Sequence, residues 1–371
     1  MIYLDNNATT QLDPKVLQAM VSTYELGPLN PSAIHGFGKK GKEKILQSRD
    51  WIAKYFGVLS KEIYFTSSST ESLTTLIRGF IQAKKAKRVL STKIEHKAID
   101  AILNTLRAEG ITVDTIEVDS YGSPKIEQIC QSIHPSTDLV ILSSVYSETG
   151  VMLDLEAISE FLYEKRIPLI IDATAHIGKA PFKVYRGVSA FCLSAHKFHG
   201  PQGVGMMFAR TNFPFTPLLV GGHQEMHRRA GTENVAGIVG LQTALSLIDE
   251  SSFSYMQELK EMLLGHLCKM GTLNGGGPTI CNTINIAFSD VDAENLMIRL
   301  DQCGVCVSMG SACSSGSIEP SRILLEMGVE RSKARSSLRF SLSRFNTKQE
   351  MEKVIRFLKR NALGFFLLFE I

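Results

Sequence analysis

The sequence lacks the features that mark membrane, secreted and nucleic-acid-binding proteins. No apolar run reaches the ~18 residues of a membrane span, and the nearest candidate, residues 364–369, is far shorter. The opening MIYLDNNATT has no basic stretch ahead of an apolar one, so we expect no secretion signal and a cytoplasmic protein. Lys and Arg number 40 against 37 Asp and Glu, and this near-neutral balance predicts no nucleic-acid partner. The lack of a spanning apolar run predicts no membrane partner.

Cysteine is too scarce for a disulfide-stabilised scaffold. The chain has seven cysteines among 371 residues, and this odd number indicates reduced thiols. It is 44% hydrophobic and 21% charged, which is ordinary for a globular protein and excludes bulk disorder. The length exceeds what one hydrophobic core usually holds, so we expect two domains.

What is present is an alternation of short apolar segments with longer amphipathic ones. The expected strands lie at residues 63–65, 88–90, 111–118, 139–142 and 169–171, and the expected helices at 71–83, 98–109 and 155–165. This order predicts a mostly parallel sheet covered by helices. Such sheets bind ligands in the loops at the carboxyl ends of their strands.

The pattern changes after about residue 250. A long amphipathic stretch at 255–270 predicts a helix, and a strand with alternating burial is expected at 283–288. A helix at 293–302 and a short strand at 305–307 follow. This order indicates a smaller α+β domain.

Two of the loops after predicted strands hold residues suited to ligand binding. Ser68, Ser69 and Thr70 stand at the start of a predicted helix, where backbone N–H groups and the helix dipole suit a phosphate. Ser68 followed by Glu71 also fits a capping box, which is the commoner use of this pattern. His96 is suited to stacking on a flat ligand or to proton transfer, although a surface histidine usually does neither.

Asp172 and Lys197 are candidates for chemistry. Asp172 directly follows a buried apolar strand, where it needs a partner such as a protonated heterocycle nitrogen or a helix N-terminus. Lys197 lies between two histidines in the segment SAHKFHGPQGVG, ahead of a turn rich in Gly and Pro. A dry, cationic neighbourhood lowers the pKa of a lysine and favours Schiff-base formation. The alternative is a solvated loop lysine.

The cysteines fall into different settings. Cys313 lies in the small-residue loop GSACSSG, which suits a nucleophile that must move, although an incidental thiol in a linker is the alternative. Cys303 and Cys306 form a lone C-x-x-C, but a zinc site needs two more ligands, so we expect no metal. Cys192 and Cys268 fit positions where cysteine serves packing.

Together these loops resemble one family. Asp172, the Lys197 segment and the GSACSSG loop, in this order, resemble the NifS/IscS-like cysteine desulfurases, a branch of the class-V, fold-type I aminotransferases that use pyridoxal 5'-phosphate. The segments YLDNNATT, NPSAIH, EHKAI, GGHQE, RRAGTENVAGIVG, EPSRIL and SLRFSLSRFNT also match the family. The similarity therefore spans nearly the whole chain, from residue 3 to about 357.

The resemblance implies the architecture. A large domain, residues 12–250, would bind the cofactor on a mostly parallel seven-stranded sheet covered by helices. A smaller α+β domain, residues 1–11 with 251–371, would carry a mobile catalytic loop at about 308–318. The family pattern also implies a homodimer.

The resemblance implies residue roles as well. Lys197 would hold the cofactor and move protons, Cys313 would accept sulfur, and His96 would complete the catalytic group. Arg339 and Asn30 would bind the substrate. The residues expected to hold the cofactor are Ser69, Thr70, His96, Ser147, Asp172, Ser194, His196 and Lys197, together with Thr232, which would reach the phosphate of the neighbouring subunit.

The implied reaction converts L-cysteine to L-alanine and transfers the sulfur to Cys313 as a persulfide. An acceptor protein, either an iron–sulfur scaffold or a thiolation enzyme, would then take the sulfur transiently. Asp172 would pair with the pyridinium nitrogen and His96 would stack on the ring. His96 is also a candidate to accept the thiol proton of Cys313.

Several positions depart from the family pattern. Ser147 stands where an asparagine is usual, and Ala175 where a glutamine is usual. Ser68 and Ser69 replace a usual Gly-Ala pair, and Met226 replaces a usual arginine. The usual amides hydrogen-bond the phenolic oxygen of the cofactor or the substrate carboxylate. We therefore predict slower first steps but continued cofactor binding.

Two alternatives stay open. A selenocysteine lyase or another β-eliminating lyase would share the fold and would not depend on Cys313. A scaffold that has lost its chemistry but still binds sulfur-acceptor proteins would form no alanine. The presence of both Lys197 and Cys313 argues against the scaffold.

Overall fold

The computed structural model describes residues 1–289, 291–309 and 319–362. Cys313, most of the loop expected at 308–318 and the apolar segment 364–369 lie outside the described residues. Within the described part, no helix is both long and apolar enough to cross a membrane.

The strands are short, as expected for a twisted α/β sheet. In chain order they are β1 (Ile2–Tyr3), β2 (Ile63–Thr66), β3 (Arg88–Thr92), β4 (Thr112–Ile116), β5 (Leu139–Ser143), β6 (Val145–Tyr146), β7 (Val151–Met152), β8 (Leu169–Asp172), β9 (Val188–Ser194), β10 (Gly205–Ala209), β11 (Gly271–Leu273), β12 (Thr283–Phe288), β13 (Val305–Cys306) and β14 (Ser337–Ser341).

The helices vary from one turn to six turns in length. In chain order they are α1 (Pro14–Tyr24), α2 (Gly36–Phe56), α3 (Ser69–Lys84), α4 (Lys97–Ala108), α5 (Ile126–Ser132), α6 (Leu155–Glu164), α7 (Gln224–His227), α8 (Val235–Ser246), α9 (Glu250–Leu267), α10 (Ala293–Gln302), α11 (Arg322–Glu326), α12 (Arg331–Arg335) and α13 (Lys348–Ala362).

The central sheet has seven strands in the order β2-β10-β9-β8-β5-β3-β4, and β10 alone runs antiparallel to its neighbours. Its inner strands are apolar on both faces, because helices cover the sheet on each side. The prediction of a mostly parallel seven-stranded sheet is therefore confirmed. The sequence pattern did not indicate β10, the β6–β7 hairpin, α1 or α2.

A second sheet is formed by the chain after residue 270. Its order is β11-β12-β14, all antiparallel, and its core includes Leu259, Ile284 and Phe340. The N-terminal strand β1 pairs with β13, and Leu4 belongs to the same core. The division into residues 12–250 and 1–11 with 251–371 stays a prediction, and these contacts support it.

The described cysteines are all unpaired, and half of them are exposed. Cys192 is buried in β9, as expected. The prediction that Cys268 packs in the core is wrong, because it caps the end of α9 one residue after the last buried position, Leu267. Cys303 caps α10 and is exposed as well.

The parallel strands end on polar residues at one edge of the central sheet. Thr92, Ser143, Asp172 and Ser194 are the last residues of β3, β5, β8 and β9. Because parallel strands share their direction, these side chains collect at one edge. The helix α3 begins at the same edge, directly after β2.

Candidate active site

A cleft of about 750 Å³, its open mouth included, lies at this edge of the sheet. It brings together most of the site residues expected from the sequence. The expected residues that line it are Ser69, Thr70, His96, Ser147, Asp172, Ser194, His196 and Lys197.

Lys197 projects its amine toward the N-terminal segment of the chain. Its Nζ donates hydrogen bonds to the carbonyls of Asn7 (2.6 Å) and Ala8 (2.9 Å). Burial, followed by the positive charge of Arg339, lowers the pKa of Lys197 to about 8, against the attraction of Asp172. A substantial share of the amine is therefore neutral near pH 8, which is the form that attacks a carbonyl.

Asp172 ends β8 and is almost fully buried. Its Oδ1 accepts a hydrogen bond from the backbone N–H of Thr174 (2.9 Å) and a long contact from the Cys192 thiol (3.8 Å). The structure shows no cationic side chain bonded to Asp172 among the described residues. The carboxyl group is thus oriented by the backbone and left with acceptor capacity on the cleft side.

The start of α3 forms the polar end of the cleft. The Ser69 backbone N–H donates to Ser194 Oγ (2.7 Å), and the Ser194 hydroxyl contacts Ser69 Oγ (2.9 Å). His196 Nδ1 lies 3.0 Å from Thr9 Oγ1, and burial lowers the pKa of His196 to about 4, so the ring is neutral at pH 7. Hydroxyl groups and helix N–H groups here suit an anionic phosphate.

The capping interaction at this helix also exists, but it differs from the expected capping box. Ser68 Oγ accepts from the Glu71 backbone N–H (3.2 Å), as expected. The Glu71 carboxylate, however, accepts from the backbone N–H of Ser67 (2.8 Å) rather than of Ser68. The N–H of Ser68 is therefore not used by that carboxylate.

Strand β10 packs closely against this turn. A Cβ added at Gly205 would lie 2.6 Å from the Ser68 backbone, so only glycine fits there without a shift.

His96 caps α4 with its ring. Its Nδ1 accepts a hydrogen bond from the Ala98 backbone N–H (3.1 Å), so in the neutral ring the hydrogen resides on Nε2. Desolvation in the cleft lowers the pKa of His96, with Lys197 and Lys97 adding to this effect and Asp172 opposing it. At neutral pH His96 therefore offers a hydrogen-bond donor to the cleft.

Glu95, next to His96, was not expected from the sequence. Its buried carboxyl accepts hydrogen bonds from Ser143 Oγ (2.5 Å), Thr92 Oγ1 (2.9 Å) and the Tyr146 hydroxyl (3.3 Å). Burial raises the pKa of Glu95 to about 7, although these hydroxyl donors favour the charged form. The network anchors the loop that carries His96 to the ends of β3 and β5.

Arg339, the expected substrate-binding arginine, lies in β14 behind the cleft wall rather than among its lining residues. Its guanidinium contacts Asp5 (2.9 Å) and Glu148 (3.6 Å), and Nη1 also reaches the Ser147 carbonyl at 3.5 Å. Its Nε is buried without a hydrogen-bond partner in the described part of the chain. The arginine is therefore held by two carboxylates and keeps one unsatisfied donor.

Two expected residues lie elsewhere in this single chain. Asn30 is exposed, and its Oδ1 accepts from the Ser32 backbone N–H (3.0 Å). Thr232 is exposed and lines a different cavity, together with Ser67, Arg229 and Glu233. Neither residue lines the Lys197 cleft in this chain, and the expected roles of both residues stay predictions.

The positions that depart from the family pattern are in the cleft. Ser147 and Ala175 both line it. His176, next to Ala175, turns away, because its Nε2 lies 3.1 Å from the Pro181 carbonyl and its ring packs edge-on against Phe182. The hydroxyl of Thr174 lines the same wall and is buried without a hydrogen-bond partner among the described side chains.

The sequence pattern did not indicate some of the residues that line the cleft. Asn7 bridges three segments, because its Nδ2 donates to the Ser147 carbonyl (3.0 Å) and to Thr283 Oγ1 (2.8 Å) while its carbonyl receives Lys197. The motif YLDNNATT marked this segment, but no periodicity showed which side chain it contributes. Ile323 of α11 closes the outer wall.

The residues present fit pyridoxal 5'-phosphate. The cleft combines an amine with a lowered pKa, a buried carboxyl with free acceptor capacity and a helix N-terminus lined by hydroxyls. The unpartnered Thr174 hydroxyl marks a wall where a polar ligand atom is needed. The aldehyde of this cofactor would react with the amine, its ring nitrogen would bind the carboxyl, and its phosphate would bind the helix N-terminus.

Comparison with known proteins agrees with this chemistry. The class-V aminotransferase family matches residues 2–354. A cysteine desulfurase of Cereibacter sphaeroides is 38% identical over 96% of this chain and 94% of its own length. The structure of a NifS-like protein is similar with a TM-score of 0.91 at 31% identity, over 98% of this chain and 99% of that one. That of SspA in complex with cysteine has a TM-score of 0.84 at 28% identity, over 94% and 100%.

These matches cover almost the whole length of both partners, so they concern the complete fold rather than one shared motif. They confirm the resemblance seen in the Lys197 and Cys313 segments. The chain belongs to the class-V aminotransferase family, in its branch of NifS-like cysteine desulfurases.

Proposed function

We propose that this chain is a cysteine desulfurase that uses pyridoxal 5'-phosphate and forms L-alanine from L-cysteine. The observation that carries the proposal is the pairing of Lys197 and Asp172 in one cleft beside a hydroxyl-lined helix start. Family membership gives this arrangement its chemical meaning.

The cofactor is proposed to bind along the sheet edge. Lys197 holds it covalently, Asp172 accepts the hydrogen of its ring nitrogen, and Ser69, Thr70, Ser194 and His196 hold its phosphate. When bound, the cofactor supplies an electron sink for charge that develops on the substrate. Asp172 would stabilise the positive charge on the ring nitrogen, because its carboxylate is buried and water screens the attraction only weakly there.

Sulfur transfer needs a nucleophile and a proton carrier. Lys197 Nζ, released from the cofactor when the substrate amine takes its place, would take the proton from the substrate Cα and later return a proton to that carbon. The Cys313 thiolate would attack the substrate sulfur, and the Cβ–S bond would break with its electron pair on Cβ. A proton from solvent on Cβ and the proton returned to Cα would then complete alanine. Cys313 then holds the sulfur as a persulfide, with the new S–S bond. Arg339 and Asn30 are proposed to bind the substrate carboxylate end.

The proposed role of His96 as acceptor of the Cys313 proton stays a prediction. With Nδ1 accepting from Ala98, a proton on that nitrogen would break the cap of α4. If His96 instead donates a hydrogen bond from Nε2, the cap of α4 stays intact. Measuring the tautomer of His96 by nitrogen NMR distinguishes the two roles.

Several partner assignments belong to the same proposal. Thr232 is proposed to reach the phosphate of a second subunit in a homodimer, and its exposure leaves it available for this. The sulfur acceptor is proposed to be an iron–sulfur scaffold or a thiolation enzyme. A cytoplasmic location stays a prediction.

The decisive experiment incubates the cofactor-loaded protein with L-cysteine and a thiol reductant and measures alanine and sulfide. Equal yields of both, abolished in Lys197→Ala, would support the proposal. Mass spectrometry of Cys313 should then show one added sulfur atom during turnover. No alanine from the loaded wild-type protein would contradict the proposal and favour the scaffold alternative.

A second substrate tests the lyase alternative. Cys313→Ser should lose alanine formation from cysteine if the thiol accepts the sulfur. If that variant keeps full release of sulfide from L-cysteine and of selenide from L-selenocysteine, the chain is a selenocysteine lyase or another lyase that does not depend on Cys313, rather than a desulfurase.

A further inference from the structure

Arg322 opens α11, at the outer wall of the cleft, and its role does not follow from the proposed mechanism. Its guanidinium donates to two backbone carbonyls of the segment between β3 and α4, which we call the His96 loop (residues 93–96). One nitrogen binds the Lys93 carbonyl, and Nη2 binds the Glu95 carbonyl at 3.0 Å. A planar guanidinium can bridge two acceptors in this way, while an ammonium cannot do so with fixed geometry.

The His96 loop is thus held on two opposite sides. From the sheet side, the Glu95 carboxyl is bonded by Thr92, Ser143 and Tyr146. From the α11 side, Arg322 holds the carbonyls on either side of Ile94. Without Arg322, these two carbonyls have no other hydrogen-bond donor recorded in the described structure.

The helix α11 itself does not depend on Arg322 for its position. Leu324 and Met327 are fully buried against Ile94, Val118 and Tyr146 in one apolar cluster. Ser321 caps the helix through the Leu324 backbone N–H. The guanidinium is partly exposed, and its ion pair with Asp100 is long at 3.9 Å. A change at Arg322 therefore removes the contact to the His96 loop and leaves the wall in place.

We propose that Arg322 is a positioning residue that fixes the His96 loop, and through it the His96 ring, against α11. His96 is the residue that depends on this loop, because its ring both caps α4 and lines the cleft. Loss of the bridge leaves Ile94, the Glu95 carboxyl and the exposed ion pairs of Lys93 with Glu117 (3.1 Å) and Glu326 (3.8 Å) to hold the loop. Exposed ion pairs add little, so the backbone that leads into the ring is loosened. A displacement of about 1 Å near reacting atoms can cost up to ~100-fold in rate.

The inference rests on the proposed function for its kinetic part, and the test therefore has an independent structural part. Hydrogen–deuterium exchange of the cofactor-loaded protein is compared for wild type, Arg322→Gln, Arg322→Lys and Asp100→Asn. We expect amides 93–98 to exchange about 10-fold faster in Arg322→Gln, and less so in Arg322→Lys. Asp100→Asn removes the ion pair but keeps both carbonyl bonds, so it should exchange like wild type.

The kinetic part measures alanine formation from L-cysteine. Arg322→Gln should lower kcat about 10-fold and change KM by less than about 2-fold, because the substrate-binding groups are untouched. Asp100→Asn should retain wild-type kinetics. In a His96→Ala background, Arg322→Gln should have no further effect on kcat, since a residue acting through His96 is silent without it.

Failure of the role of Arg322 and failure of the proposed function give different results. Unchanged exchange at 93–98 in Arg322→Gln overturns the inference, whether or not the enzyme is active. Equal losses of kcat in the wild-type and His96→Ala backgrounds also overturn it, because Arg322 would then act independently of His96. If the loaded wild type forms no alanine, the proposed function fails while the exchange data still decide whether Arg322 fixes the loop.

Discussion

The floor of the cleft and its rim are built in different ways. At the floor, Asp172 and Ser194 are terminal residues of buried parallel strands, and Lys197 follows three residues after β9. At the rim, His96, Arg322 and Arg339 are positioned by contacts between segments far apart in sequence. Arg339 pairs with Asp5 across most of the chain length, and Arg322 holds carbonyls near residue 94.

This difference has a physical consequence. Groups at the ends of packed strands share the rigidity of the sheet, because moving one disturbs the apolar core. At the rim, Arg322 can shift at lower cost because its contacts are partly exposed to water, whereas Arg339 is buried between two carboxylates. The floor therefore suits groups that must stay fixed during the reaction, and the outer rim at Arg322 is a part of the cleft that a single substitution can loosen.

The largest expected effect comes from the floor. Lys197→Ala should lower alanine formation on the order of 10⁴-fold or more, because no other described amine lines the cleft. It should also abolish the visible absorbance band of the lysine-bound cofactor. Lys97→Ala, which changes an exposed lysine next to His96, is the control and should keep both signals. Substantial activity in Lys197→Ala would mean that the floor is not the catalytic region.

At the rim, Arg339→Lys should raise KM for L-cysteine about 10- to 100-fold with little change in kcat. Lysine cannot hold Asp5 and a substrate carboxylate at once in the planar geometry of a guanidinium. Steady-state kinetics measures this effect. The control is Arg344→Lys, which changes an ion pair with Asp13 (2.6 Å) outside the cleft. A loss confined to kcat would contradict a role of Arg339 in substrate binding.

The pH dependence of cofactor loading tests the floor more finely. Because the pKa of Lys197 is lowered from 10.5 to about 8, the neutral amine increases as pH rises through 8. The rate at which the cofactor-free protein captures pyridoxal 5'-phosphate should therefore rise about 10-fold between pH 7 and 9. Stopped-flow absorbance measures this rate. A midpoint near 10.5 would show that the cleft does not desolvate the amine.

The smallest effect is expected at Ala175, which gives the cleft wall no hydrogen-bond donor. Ala175→Gln adds an amide to the cleft wall and should tighten cofactor binding about 5-fold, equivalent to roughly 1 kcal/mol for one hydrogen bond. Fluorescence titration with the cofactor measures this affinity. Ala175→Leu adds similar bulk without a donor and should not tighten binding. If both variants bind the cofactor more tightly, the gain comes from packing and not from a hydrogen bond.

Much of the floor was predictable from the sequence. The apolar segments at 139–142 and 169–171 became strands β5 and β8, since four or more consecutive buried residues are compatible with a covered parallel sheet. Asp172 and Lys197 followed from their places after apolar segments. Seven of the residues expected to bind the cofactor joined His96 around one cleft.

The rim was less predictable. Arg339 was identified through family resemblance, but its carboxylate partners Asp5 and Glu148 carry no local signal in the sequence. The same is true of Arg322, whose contacts lie with a loop more than two hundred residues earlier. Cys268 was assigned to packing from its apolar surroundings, and its exposed position at a helix end was not anticipated.

The sequence by itself determined the alternation of strands and helices over much of the chain, the residue types at the strand ends and the family. These are properties of local pattern, because apolar periodicity and turn residues act over a few positions. Only the tertiary structure decided that Asn7 receives the Lys197 amine, that Glu95 is buried among three hydroxyls and that Arg322 bridges the His96 loop. Those contacts arise from the packing of distant segments, where hydrogen bonds and burial depend on geometry that no single stretch of sequence contains.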